Sequence, residues 1–173
     1  MFHETMRTAR EVVTLSLEMS LEALCLKCGL CCDGTLFTHV ALTVPEAERL
    51  KGRVELQSNE QAGVLRQPCS ALERCKCTVY ADRPQGCARF VCMLGAALTD
   101  SELGFDEASA VVAEAQALRD AINRLVPGIG TPIGRARQYE ERGPDSERAV
   151  EVREARRALE AFVRRHFLGR SGT

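Results

Sequence analysis

Apolar residues recur at steps of three or four in three long stretches of the chain. Met6, Ala9, Val13, Leu17, Leu21 and Leu24, with Glu and Arg filling the gaps, predict an amphipathic helix over 4–24 that runs straight into Cys25. Val111, Ala115, Leu118, Ile122 and Leu125 predict a second over 106–126, stopped by Pro127 and Gly128. Val152, Ala155, Leu159, Phe162 and Val163 predict a last helix over 146–168. Shorter signals lie between them. Residues 36–42 read as a short extended piece. Thr43-Val44-Pro45-Glu46 matches a capping box with proline early in the first turn, so a short helix is expected over 44–51. Asp82 or Arg83 can cap a helix over 84–95, with Pro84 just inside it. Residues 52–68 are polar and without period, and predict a loop or weak helix. Residues 127–145 hold four glycines and three prolines and read as a loop or tether. Strand signals are few, so the expected fold class is mainly α.

Composition narrows this picture. A chain of 173 residues fits one domain and can bury roughly 70% of its unfolded surface, enough for an ordinary core. Nine cysteines are about 5% of the chain, below the roughly 8–10% of disulfide-built scaffolds. The count is also odd, so full pairing would leave one thiol over. Met1-Phe2-His3-Glu4 opens no signal peptide, and no stretch nears the roughly 18 apolar residues of a membrane span. A reducing cytoplasm is therefore expected, where closely spaced thiols are more often ligands or redox groups than disulfides. A net charge of −1 argues against nucleic acid as partner.

The cysteines are confined to two segments. Cys25, Cys28, Cys31 and Cys32 put four thiols into eight residues, and Cys69, Cys75, Cys77, Cys87 and Cys92 follow. Core packing does not require such spacing. Cys25, Cys28 and Cys31 match the start of a bacterial ferredoxin run, but the next thiol is the adjacent Cys32 rather than one in a Cys-Pro pair. Adjacent side chains diverge, by about 100° if locally helical. Cys31 and Cys32 therefore point to two neighbouring metal centres, or to one centre and a spare thiol. Gly29 suits a loop curling round a metal, since it adopts positive φ cheaply. A structural zinc site and a four-iron cluster each take four thiolates, so the segments are expected to meet in space. Lys27, Arg74, Lys76, Arg83 and Arg89 outnumber Glu73 and Asp82 across the segments; such neighbours are expected to lower thiol pKa values. A thioredoxin-like dithiol would need a βαβ pattern that the chain lacks.

These residues resemble the CxxCxxCC family of zinc- or iron-chelating proteins. The family pattern is Cys-x-x-Cys-Gly-x-Cys-Cys, a lone Cys, Cys-Ile/Val-Tyr, and Arg-Pro-x-x-Cys-Arg-x-Phe-x-Cys. Here Cys25, Cys28, Gly29, Cys31 and Cys32 are followed by Cys69, by Cys77-Thr78-Val79-Tyr80, and by Arg83-Pro84, Cys87-Ala88-Arg89-Phe90 and Cys92. Ala88 stands where the family usually has Arg, and Cys75 falls outside the pattern. The resemblance covers about 25–92. It implies metal binding by Cys25, Cys28, Cys31, Cys32, Cys69, Cys77, Cys87 and Cys92, with zinc and iron both open. A flagellin lysine methylase carries a similar box, so an enzyme-associated module is the alternative.

Weaker signals complete the inventory. His39, seven residues after Cys32, is the best placed of His3, His39 and His166 as a further ligand. Gly128-Ile129-Gly130-Thr131-Pro132-Ile133-Gly134 looks like a phosphate loop but lacks its Gly-Lys-Ser/Thr ending. The arginines between 148 and 165 alternate with glutamates and read as a solvated helix face. Neither paired catalytic carboxylates nor a Ser/His/Asp arrangement is visible. The expectation is a small single helical domain over 1–173, built around a cysteine-ligated metal centre with few or no strands. Residues 25–92 would form its metal-binding core and 93–173 a helical extension. Its leading role would be zinc or iron chelation for structure, storage or transfer. The alternatives are an iron–sulfur redox or enzyme-accessory module and a zinc-stapled protein-interaction module.

Overall fold

The computed structural model describes residues 20–57, 63–143 and 146–169. A first helix, α1, covers 20–28 of these. There follow β1 (His39–Leu42), α2 (Val44–Leu50), β2 (Gly63–Arg66), β3 (Leu72–Glu73), β4 (Lys76–Cys77) and a 3-10 turn at Tyr80–Asp82. The rest is helical: α3 (Gln85–Arg89), α4 (Met93–Thr99), α5 (Phe105–Leu125), α6 (Pro132–Arg142) and α7 (Glu147–Val163), which runs into a π-type turn at Arg164–Leu168. The fold is mainly α, as expected. The predicted stretch 4–19 lies outside the described residues; what is described of that helix continues past Leu24 to Cys28.

Two hydrophobic cores are present. The larger is helical and buries Leu24, Leu30, Leu94, Val112, Ile122, Leu159 and Phe167 among others. The smaller gathers Val40, Leu42, Leu50, Leu65, Cys69, Ala71 and Val79 around two small sheets. In one sheet β1 and β2 pair antiparallel, with Val40 opposite Leu65; in the other β3 and β4 pair with Leu72 opposite Cys77. The capping box of α2 is formed: Thr43 N donates to Glu46 Oε2 at 2.8 Å. The other carboxylate oxygen, Oε1, accepts from Gln85 N at 2.6 Å. One glutamate thus holds the starts of α2 and α3, and these hydrogen bonds keep its carboxyl below the usual range.

Three expectations are corrected. Within 52–68 the chain forms β2, because Val64 and Leu65 pair with β1, a partner on the far side of α2 that local pattern does not reveal. The helix expected over 84–95 is broken: Phe90 is extended, and Cys92 caps a new helix by accepting from Gly95 N at 3.4 Å. The supposed tether over 127–145 contains α6. There Thr131 Oγ1 accepts from Gly134 N at 3.1 Å and Pro132 opens the helix, so residues read as breakers act as a start signal. Among the described residues, no helix is long and apolar enough to cross a membrane.

Candidate metal centre

The first cysteine segment is shaped by the end of α1. Cys25 and Cys28 lie three residues apart, on one face of its last turn. Gly29 then turns the chain with φ +69°, the positive value its sequence position suggested. The N–H groups of Cys32 and Asp33 both reach Gly29 O at 3.0 Å, so Cys31 and Cys32 sit on a tight turn over the buried Leu30. The loop is pinned to α5. Arg119 Nη1 meets Asp33 Oδ2 at 3.1 Å, with both side chains about seven-eighths buried. One turn earlier, Gln116 Nε2 donates to Lys27 O at 2.8 Å and Cys28 O at 2.9 Å, and approaches Cys75 Sγ at 3.4 Å.

The second segment folds back onto the first. Cys69 N donates to Cys32 O at 2.7 Å. The pairing of Glu73 with Lys76 places Arg74 and Cys75 at a hairpin tip, with Arg74 at φ +58°. The tip lies so close to Gly29 that a Cβ there would stand 3.1 Å from Cys75 Cα. Cys77 is next on the returning strand. Cys87 is carried by α3, which packs on β1 where a Cβ at Gly86 would stand 2.8 Å from Val40 Cγ1.

All nine thiols are free and line one cavity of about 490 Å³. Packing divides six of them. Cys28 and Cys92 lie against the helical core, whereas Cys32, Cys69, Cys77 and Cys87 belong to the smaller one. Neighbouring thiolates place Cys25 and Cys31 beside the first pair. Burial is the largest influence on each affected thiol, and nearby thiolates add to it at all of these but Cys92. Cys25 feels Cys92; Cys28 feels Cys92 and Cys25; Cys31 feels Cys28, Cys92 and Cys25 together with its neighbour Cys32. Cys32 feels Cys77, Cys69 and Cys87, and Cys87 feels Cys69 and Cys77. Two groups of four result: Cys25, Cys28, Cys31 and Cys92, and Cys32, Cys69, Cys77 and Cys87. Adjacent Cys31 and Cys32 fall in different groups.

Burial raises seven of the thiols, contrary to the expectation from their basic neighbours. Burial pushes Cys28 and Cys32 up to about 12 and Cys87 up to about 11, and raises Cys31 still further. The cations are spent elsewhere. Lys27 lies over the Phe105 ring, Arg83 stacks on Tyr80 at 3.7 Å, and Arg74, Lys76 and Arg89 are exposed. Arg83 is the cation that opposes burial, at Cys25 and Cys87. Among the described residues, no three His, Cys, Asp or Glu side chains already stand close enough to hold one ion. The donor set suits a soft or borderline metal.

The other candidates lie elsewhere. His39 is exposed beside Thr38, His166 packs on the Phe162 ring at 4.4 Å, and neither lines the cavity; His3 lies outside the described residues. The glycine-rich 128–134 stretch leads into α6. Sequence reading missed Gln116 and Arg119, although both interrupt the apolar stripe of α5 between Val112 and Ile122. A polar residue on a core-facing stripe is the available signal.

A model of the family described as "Putative zinc- or iron-chelating domain", CxxCxxCC, matches residues 24–112, just over half of the chain. The match runs past Cys92 through α4 into α5, further than the cysteine pattern alone. No curated protein and no solved structure matches the chain. The chain belongs to the CxxCxxCC family, and that membership supports metal binding.

Proposed function

We propose that this member of the CxxCxxCC family holds two metal centres side by side. Cys25, Cys28, Cys31 and Cys92 would hold one, and Cys32, Cys69, Cys77 and Cys87 the other. The observations that carry the reading are that packing places Cys28 and Cys92 on one core and Cys32, Cys69, Cys77 and Cys87 on the other, and that Cys25 and Cys31 lie in the field of the first pair. Each four is the complement of a zinc site or of a four-iron cluster. We take the cluster as the first reading: in a cluster each thiolate binds a different iron, so the four ligands need not converge on one ion. A bound cluster would supply one-electron transfer.

The chain's own residues do the rest. Gln116 and the Asp33–Arg119 pair fix the loop that presents Cys28, Cys31 and Cys32, and Glu46 fixes the start of the helix that carries Cys87. Burial keeps the metal-free thiols neutral, so loading releases protons. Zinc is the second reading, favoured by the smaller core: its two-stranded sheets are marginal without a staple. The role is electron transfer or support of a modification reaction in the first case and structural in the second. The setting is a reducing cytoplasm, and the described elements belong to one domain, with metal ions as the principal partners.

Purification without air followed by metal analysis and visible absorption tests this. Iron with a charge-transfer band is expected; stoichiometric zinc without colour would select the second reading. Metal removal should lower the melting temperature and free more than four thiols to a thiol reagent. A protein without metal, and indifferent to chelators, would overturn both readings.

A further inference from the structure

Leu65, Gln67 and Cys69 are buried, while Arg66 and Pro68 between them are exposed. The chain leaves β2 after Arg66 and passes through a cis Gln67–Pro68 bond, and Leu65, Gln67 and Cys69 all line the thiol cavity. Gln67 is only 8% exposed, and its Oε1 has no hydrogen-bond partner. Its backbone N–H is satisfied by Thr38 O at 3.0 Å, so the loose end is the carboxamide. Leucine or valine would fill this position without burying an amide. A buried polar group left unpaired is unfavourable and rare, which points to a partner supplied when the cavity is filled. The cavity's other polar lining is already engaged or outlying: Arg83 stacks on Tyr80, and Glu22 is exposed.

We propose that the Gln67 carboxamide is a hydrogen-bond donor to sulfur at the centre held by Cys32, Cys69, Cys77 and Cys87. This rests on the metal-binding reading above and holds for zinc or iron. Two observations select this centre over the other. Cys69 lies two residues beyond Gln67, is buried beside it in the cavity wall, and its own N–H is fixed to Cys32 O at 2.7 Å. A carboxamide has a donor end and an acceptor end, which a half-turn exchanges. Protonated thiols are weak partners for either end. A metal-bound thiolate carries charge and accepts an N–H strongly. Gln67 would therefore stabilise the loaded state and contribute little to the empty one.

The test uses full-length protein purified with its metal and challenged with increasing EDTA, the retained metal being measured for wild type, Gln67→Leu and Gln67→Glu. Outer hydrogen bonds to metal ligands are typically worth roughly 10–100-fold in affinity. Gln67→Leu is expected to release its metal at about tenfold lower EDTA. Gln67→Glu, which cannot donate when ionised and adds charge beside the thiolates, should release it at lower EDTA still. The metal-free Gln67→Leu protein should melt no lower than metal-free wild type, because an unpaired amide has been removed. Unchanged retention in Gln67→Leu would overturn the proposal. So would retention by Gln67→Glu alone, which marks an acceptor, or an equal loss of melting temperature with and without metal, which marks packing. Wild-type metal content decides the reading beneath it separately: a wild type without metal overturns both.

Discussion

The two groups of four thiols share a cavity but are built differently. Cys25 and Cys28 ride on the last turn of a helix, and Cys92 caps another, so that group leans on the larger helical core. Cys32, Cys69, Cys77 and Cys87 are set by short antiparallel pairs and a five-residue helix around the smaller core. Exposure differs as well: Cys25 is exposed and Cys69 buried. The helical elements retain packing of their own when their centre is empty. The small sheets have little else, since two-stranded pairs are marginal in water. The first group is therefore placed for exchange with the outside, and the second for holding the fold together.

Removing one thiol from the second group should have the largest effect. Cys77→Ser should lose the metal of its group and unravel the smaller core. A loss of several kcal/mol, at roughly 2–4 °C per kcal/mol for this chain length, lowers the melting temperature by about 10 °C or more. Cys25→Ser should lose metal with much less loss of melting temperature. Equal effects of the two, read by thermal melting, would erase the difference between the groups.

Acidity should separate them next. Each thiolate that forms on loading releases a proton, so affinity falls by up to roughly tenfold per thiol for each pH unit lowered. Cys31 is raised furthest by burial, so the first group should empty first as pH falls. The sign is opposite for the metal-free fold. Its buried thiols keep their protons above the unfolded value of about 9. Stability from this source is complete below that pH and is lost as pH rises toward about 11 at Cys87 and about 12 at Cys28 and Cys32. Melting of metal-free protein against pH checks this; a rise in stability above pH 9 would contradict it.

The smallest effect is expected at Cys75. It lines the cavity, but its sulfur is taken by Gln116 and it joins neither group. Cys75→Ser should keep its metal and shift melting by less than about 4 °C, since serine can still accept from the amide. Loss of metal in Cys75→Ser, measured per chain, would move the division between the groups.

Much of this was legible in sequence. The long helices α5 and α7 follow from their apolar period, α2 from its capping box, and the turn at Gly29 from the need for positive φ. The spacing of Cys31 and Cys32 already implied divergence. What stayed hidden depends on distant partners. β2 exists because β1 lies beside it, and α6 is disguised by the proline and glycine that begin it. The basic residues near the thiols suggested lowered pKa values, but burial outweighs them and their charges lie on aromatic rings or in solvent. Which thiol falls in which proposed group was likewise unreadable, because it depends on the core or the neighbouring thiols that each cysteine lies against.

Metal per chain in Cys31→Ser and Cys32→Ser, each purified without air beside wild type, tests the division most directly. Two separate centres require that each variant keep about half of the wild-type metal and that the double variant keep none. Full retention in either single variant, or complete loss in both, would mean that the adjacent thiols do not serve two centres.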